Sequence, residues 1–232
     1  MPPIICLHKE DYFLPIKSDP VILESDTTPL ENFLLCLRET EDDDGLMDLC
    51  RKRILHGIPY IFEGREDAYY EFRKRISRKF NIDFHEVFIA GSAKLGFSPH
   101  KKKMFDYDSD IDIAIVSPRL YEKILDSICD YQMELRRARR TITVKELAMY
   151  HEFLEYTAIG WIRPDKLPLS FQVDKLKTEW FEFFKSLSYG GSEVGNYKAS
   201  AGIFKTYRHF EQYTVSGFKQ LKKSLEVKKE DV

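Results

Sequence analysis

Cysteine is scarce in this chain, and what there is does not pair. Cys6, Cys36, Cys50 and Cys129 are scattered, with no C-x-x-C motif and no histidine at zinc-ligand spacing. A disulfide framework and a zinc site are therefore not indicated, and ordinary reduced thiols are expected. Long apolar runs are missing too: no stretch approaches the roughly 20 consecutive apolar residues of a membrane helix. The start, Met1-Pro2-Pro3-Ile4-Ile5-Cys6, has no basic region leading into an apolar run, unlike a secretory signal. The expectation is a cytoplasmic protein with no membrane partner. Charge of one sign is also lacking, since 36 basic residues meet 38 acidic ones for a net charge of -2. Bulk charge thus makes no case for nucleic acid, and any such surface would have to be local. Internal repeats and low-complexity tracts are absent, and His100, His151 and His209 have no partner at ligand spacing.

What is present is enough for one globular core. At 232 residues and 43% apolar, the chain can bury a substantial interior with a helical appendage. The first two dozen residues, with Pro2, Pro3, Pro15 and Pro20, read as an extended arm. Thr28-Pro29-Leu30-Glu31 can open a short helix, because proline suits a first turn. Leu46 to Leu55 has helical spacing and is stopped by His56-Gly57-Ile58-Pro59. The spacing of Tyr69, Phe72, Ile76 and Phe80 predicts an amphipathic helix over 66–80. Val87-Phe88-Ile89-Ala90 and Ile111-Asp112-Ile113-Ala114-Ile115-Val116 read as buried strands. Pro118 starts a helix to about Tyr131, and a longer, broken helix is expected over 134–156. Leu169 to Val173 alternates like a half-buried strand. From Asn196 onward, Ile203, Tyr207, Phe210, Tyr213, Phe218 and Leu221 favour helices, and Tyr189-Gly190-Gly191-Ser192 reads as a helix-to-helix linker. The fold class expected is α/β (α+β), a small mixed sheet flanked by N- and C-terminal helices.

The chemistry concentrates between Val87 and Val116. A strand ends at Gly91-Ser92, a polar loop follows, and a second strand opens with Asp110-Ile111-Asp112. Residues two apart on a strand share a face, so the two carboxylates project side by side while Ile111, Ile113 and Ile115 face the core. Adjacent carboxylates repel unless a cation sits between them, and hard oxygens suit Mg²⁺ held together with substrate phosphates. Gly91 lets the backbone turn tightly and approach a phosphate, and Ser92 adds a hydroxyl. Lys94 can reach a phosphate from this turn or lie solvated. Lys101-Lys102-Lys103 in the loop, and Arg136-Arg137-Ala138-Arg139-Arg140 with Lys145 beyond, are basic clusters that read either as solvated faces or as surfaces for an acidic partner or RNA.

Gly91-Ser92-Ala93-Lys94-Leu95-Gly96 followed by Ser109-Asp110-Ile111-Asp112-Ile113-Ala114-Ile115 resembles the DNA polymerase beta nucleotidyltransferase superfamily. The resemblance spans about a sixth of the chain, roughly residues 84–124. It implies a sheet of that superfamily's type, with nucleotide phosphate at Gly91, Ser92 and Lys94. Asp110 and Asp112 would hold Mg²⁺ in a two-ion site, with Mn²⁺ as an alternative. The superfamily usually adds a third carboxylate from a later strand; Asp174, after Leu169–Val173, is the candidate and Asp165 the rival. The division expected is an N-terminal arm and helices over 1–62, a nucleotidyltransferase core over 63–176 and a C-terminal helical segment over 177–232. The activity implied is transfer of a nucleoside monophosphate from a nucleoside triphosphate to a hydroxyl on an RNA end or a partner protein. The alternatives are a synthase of nucleotide second messengers and a catalytically degenerate binding module.

Overall fold

The computed structural model of the protein describes residues 27–137, 141–167 and 174–230. Local signals set the first helices. Helix α1 (Pro29–Glu39) begins with a reciprocal cap, in which Thr28 Oγ1 accepts from the Glu31 amide and the Glu31 carboxylate accepts from the Thr28 amide at 2.8 Å. In α2 (Asp43–Cys50) the acidic run supplies the cap, since Asp42 Oδ1 accepts from the Gly45 amide. A wide turn over Arg51–Leu55 continues it to His56. Helix α3 (Glu66–Phe80) occupies the range its periodicity predicts, with Phe72 and Ile76 fully buried, and ends at Asn81 in the left-handed region.

The chain then lays down β1 (Val87–Ala90), the short α4 (Gly91–Leu95), the hairpin strands β2 (Phe97–Ser98) and β3 (Lys103–Met104), and β4 (Asp110–Val116). Helices α5 (Pro118–Arg136) and α6 (Val144–Ala158) follow, then β5 (Trp161–Ile162), α7 (Asp174–Leu187), β6 (Lys198–Phe204) and α8 (Tyr207–Glu230). The architecture is mixed α+β, with a four-stranded mixed sheet in the order β1-β4-β6-β5 and a separate two-stranded hairpin. Strand β4 is antiparallel to β1 and parallel to β6.

Each face of the sheet has its own core. Ile111, Ile113 and Ile115 join Val87, Ile89, Ala199 and Ile203 against α3, α5, α6 and α7, where Ile124, Phe153, Trp180 and Phe184 are buried. On the other face Ala114, Val116 and Phe204 meet α1, α2 and α8 through Phe33, Leu37, Cys50, Phe210 and Phe218. Burying one Ile side chain contributes about 1.5–3 kcal/mol, and a one-residue slip of β4 would turn all three isoleucines around. That cost fixes the register, and with it the face on which Asp110 and Asp112 emerge. Asp110 and Asp112 continue the row of Ala114 and Val116 outward to solvent.

Several expectations need correction. Residues 198–204 form β6 rather than part of a helix, so the sheet draws on the segment expected to be helical, and Tyr189–Ser192 lies between α7 and a strand. The expected strand Leu169–Val173 lies outside the described residues. Among the described residues, the strands beside β4 are β1 and β6. The helix started by Pro118 runs past Tyr131 to Arg136 as α5, and the helix expected over 134–156 with breaks is α6 from Val144, capped by Thr143 and Glu146. Arg139 and Arg140 lie outside the described residues. Among the described residues no helix is long and apolar enough to cross a membrane, and Cys36, Cys50 and Cys129 are free thiols, the buried Cys50 being pushed up to about 11 by desolvation.

Candidate active site

The site forms where β1 ends and β4 begins. Ala90 pairs with Asp112 across the antiparallel ladder, so Gly91 turns off β1 directly beside the carboxylate. Gly91 has φ +61, and a Cβ built on it would lie 2.7 Å from Asp112 Oδ2. Both the backbone conformation and the contact call for glycine. Ser92 follows in the first turn of α4, half-buried, and among the described residues no hydrogen bond engages its hydroxyl. The turn closes when the Gly96 amide donates to the Ser92 carbonyl at 2.8 Å.

Asp110 and Asp112 are both exposed on the same face of β4. Asp112 nevertheless has protein on most sides. Desolvation is the largest influence raising its pKa, the negative charge of Asp110 adds to it, and Lys101 and Lys198 pull the other way. The pair is thus built under repulsion that a cation would relieve. Among the described residues no group of three or more His, Cys, Asp or Glu gathers as a metal cage. Two hard carboxylates do fit Mg²⁺, which commonly takes one or two carboxylates and completes its shell with water and substrate phosphates.

Lys94 sits apart from this pair. Its side chain is buried, and Nζ donates to the carbonyls of His56 (2.5 Å) and Gly57 (2.8 Å). Burial pulls the ammonium down to about 8. Lys94 therefore braces α4 against the end of the Arg51–Leu55 turn, and a phosphate would have to draw it off both carbonyls. Of the loop lysines, Lys103 is tied to Asp106 at 2.5 Å, while Lys101 contributes to the field at Asp112.

The third-carboxylate candidates are not brought to β4 by neighbouring strands. Asp174 is the first residue of α7 rather than the end of a strand. Asp165 lies in a tight turn after β5, paired with Arg163 at 2.8 Å, and β5 is separated from β4 by β6.

Two site-facing residues escape the sequence reading. Parallel pairing sets Lys198 opposite Asp110 and Ser200 opposite Asp112, on the same sheet face. Lys198 Nζ lies 3.7 Å from Asp110 Oδ2. The loop before β6 seats this strand: the buried Ser188 hydroxyl accepts from the Ala199 amide at 2.9 Å, and the Tyr189 amide donates to the Tyr197 carbonyl. Lys198-Ala199-Ser200-Ala201-Gly202 alternates only between polar residues and alanine, without the β-branched or aromatic residues that would mark it as a strand. Farther along the same face, Trp161 stacks on Phe204 and packs against Tyr213, whose hydroxyl is pushed up chiefly by burial, with a smaller push from Asp112. Comparison of the chain with family models, curated proteins and solved structures found no match.

Proposed function

We propose that the protein is a Mg²⁺-dependent nucleotidyltransferase with a core of the polymerase beta type. The observation that carries this reading is the abutment of Gly91 on Asp112, which puts a glycine–serine turn against a carboxylate pair at the start of β4. Asp110 and Asp112 would hold the metal, which when bound neutralises phosphate charge and lowers the pKa of a coordinated hydroxyl. The Gly91-Ser92 turn offers backbone approach and the Ser92 hydroxyl to the triphosphate. An acceptor hydroxyl attacks the α-phosphorus in line, the bond to the bridging oxygen breaks, and pyrophosphate leaves. The chain's contribution is positioning and charge compensation. Lys101, near Asp112 and on the exposed hairpin, supports an acidic macromolecular acceptor, an RNA end or a hydroxyl on an acidic protein surface.

A second reading, a nucleotide-binding module without catalysis, draws support from Lys198 and Ser200, which stand beside the aspartates on the strand where a carboxylate would be wanted. Fold and activity are separable, and one experiment separates them here. Each labelled nucleoside triphosphate is incubated with the protein, Mg²⁺ and either RNA or cell protein as acceptor. Pyrophosphate release that disappears in Asp110→Ala and Asp112→Ala is expected. Triphosphate binding with no release supports the module instead, and turnover unchanged in both variants overturns the site.

A further inference from the structure

We propose that Lys198 is the resident counter-ion of Asp110, and that it leaves this carboxylate for the triphosphate when metal and nucleotide enter together. The inference rests on the nucleotidyltransferase reading of Asp110 and Asp112 and adds a positioning residue to it. Parallel pairing places Lys198 and Asp110 on the same face of adjacent strands, and the Nζ to Oδ2 separation is 3.7 Å. Both side chains are about half exposed, so the pair is hydrated and exchanges readily. The Ser188 and Tyr189 hydrogen bonds hold the start of β6, leaving the lysine stem as the moving part.

Charge decides the consequence. Asp110, Asp112 and Lys198 together carry one net negative charge, which Lys101 near Asp112 offsets further, whereas a third carboxylate in place of Lys198 would give these three side chains three. A bare divalent cation must displace the ammonium from Asp110 and meets a weak field. A cation accompanied by a triphosphate brings its own partner for the displaced ammonium. Metal and triphosphate should therefore bind with positive coupling, each strengthening the other by the same factor.

The test measures Mn²⁺ binding by the electron paramagnetic resonance of the free ion, with and without non-hydrolysable α,β-methylene triphosphates of the four ribonucleosides. Wild type, Lys198→Met, Lys198→Gln and Asp110→Asn are compared, each checked for folding by circular dichroism. Wild type is expected to bind Mn²⁺ weakly alone and about tenfold or more tightly with its triphosphate, within the usual span of coupling. Both Lys198 variants are expected to bind Mn²⁺ more tightly than wild type without nucleotide and to lose most of the coupling. Mn²⁺ affinity that disappears in Asp110→Asn but is unchanged in both Lys198 variants overturns the counter-ion role and leaves the metal site standing. No Mn²⁺ binding that depends on Asp110, with or without triphosphate, overturns both readings.

Discussion

A methyl group at Gly91 would stand 2.7 Å from Oδ2 of Asp112, so the turn and the carboxylate occupy adjoining space with no room between them. Gly91→Ala should therefore do two things. The left-handed backbone at φ +61 costs a non-glycine residue about 1–2 kcal/mol, and the Asp112 side chain must swing away. Gly64 separates these effects, because its φ of +68 is similar but nothing lies within 4 Å of its built Cβ. Chemical denaturation should show a loss of stability in both variants. Nucleotide transfer should fall at least tenfold in Gly91→Ala alone; equal activity losses would disconnect the turn from the site.

Replacing Asp112 by Asn should abolish transfer while raising the stability of the metal-free protein at neutral pH. The carboxyl's pKa is raised in the folded state, chiefly by desolvation and then by Asp110. A raised carboxyl favours the fold below its unfolded pKa, and that contribution is lost as pH rises through the folded value. Wild type in chelator should thus lose melting temperature across that window relative to Asp112→Asn, and the two curves should converge at lower pH. Parallel melting curves from acid to neutral pH would contradict the repulsion.

Lys94 and Ser92 are neighbours with different expected phenotypes. Lys94→Met removes the donor of two backbone hydrogen bonds, at His56 and Gly57, and should cost about 1–3 kcal/mol of stability. Because burial lowers the Lys94 ammonium to about 8 from 10.5, wild-type stability should gain between those values as the buried charge is lost, and the variant should lack that rise. Ser92→Ala should leave stability nearly unchanged and weaken triphosphate binding by about 0.5–1.5 kcal/mol, the net value of one neutral hydrogen bond. Melting curves and nucleotide titrations of the two variants give a crossed pattern if this division holds.

Asp165 and Asp174 are separable in the same assay. Asp165 is engaged by Arg163 beside β5, so Asp165→Asn should leave turnover within about twofold, the scale expected for loss of a surface ion pair. Asp174 opens α7, and Asp174→Asn is the variant that would lower turnover with triphosphate binding preserved, were this residue to supply the third carboxylate. Unchanged turnover in both would leave Asp110 and Asp112 as the complete acidic set.

The legible parts of the chain were those whose signal is local. Thr28 with Glu31 caps α1, the apolar spacing of α3 matches its buried face, and the β-branched run of β4 puts Asp110 and Asp112 together by parity alone. Strand β6 was not legible because its identity is supplied by its partner. Lys198–Phe204 becomes a strand by pairing with β4 over seven positions. Its small residues serve close packing rather than propensity: a Cβ at Gly202 would meet Trp161 Nε1 at 2.4 Å. The burial of Lys94 was not legible for a related reason. Its hydrogen-bond partners, His56 and Gly57, come from a distant turn, and a pattern around Gly91 carries no record of them.

The parallel pairing of β4 with β6 also sets an order of assembly. On the ribosome β4 emerges well before β6, at about 5–20 residues per second. During that interval Asp110 and Asp112 have β1 beside them but neither Lys198 nor Ser200, and the sheet edge at β4 is open. The nascent chain therefore presents Asp110 and Asp112 before Lys198 has been made, with the β6 side of β4 still unpaired. A translation arrest before residue 198 would leave Asp110 and Asp112 without the strand that carries Lys198 and Ser200.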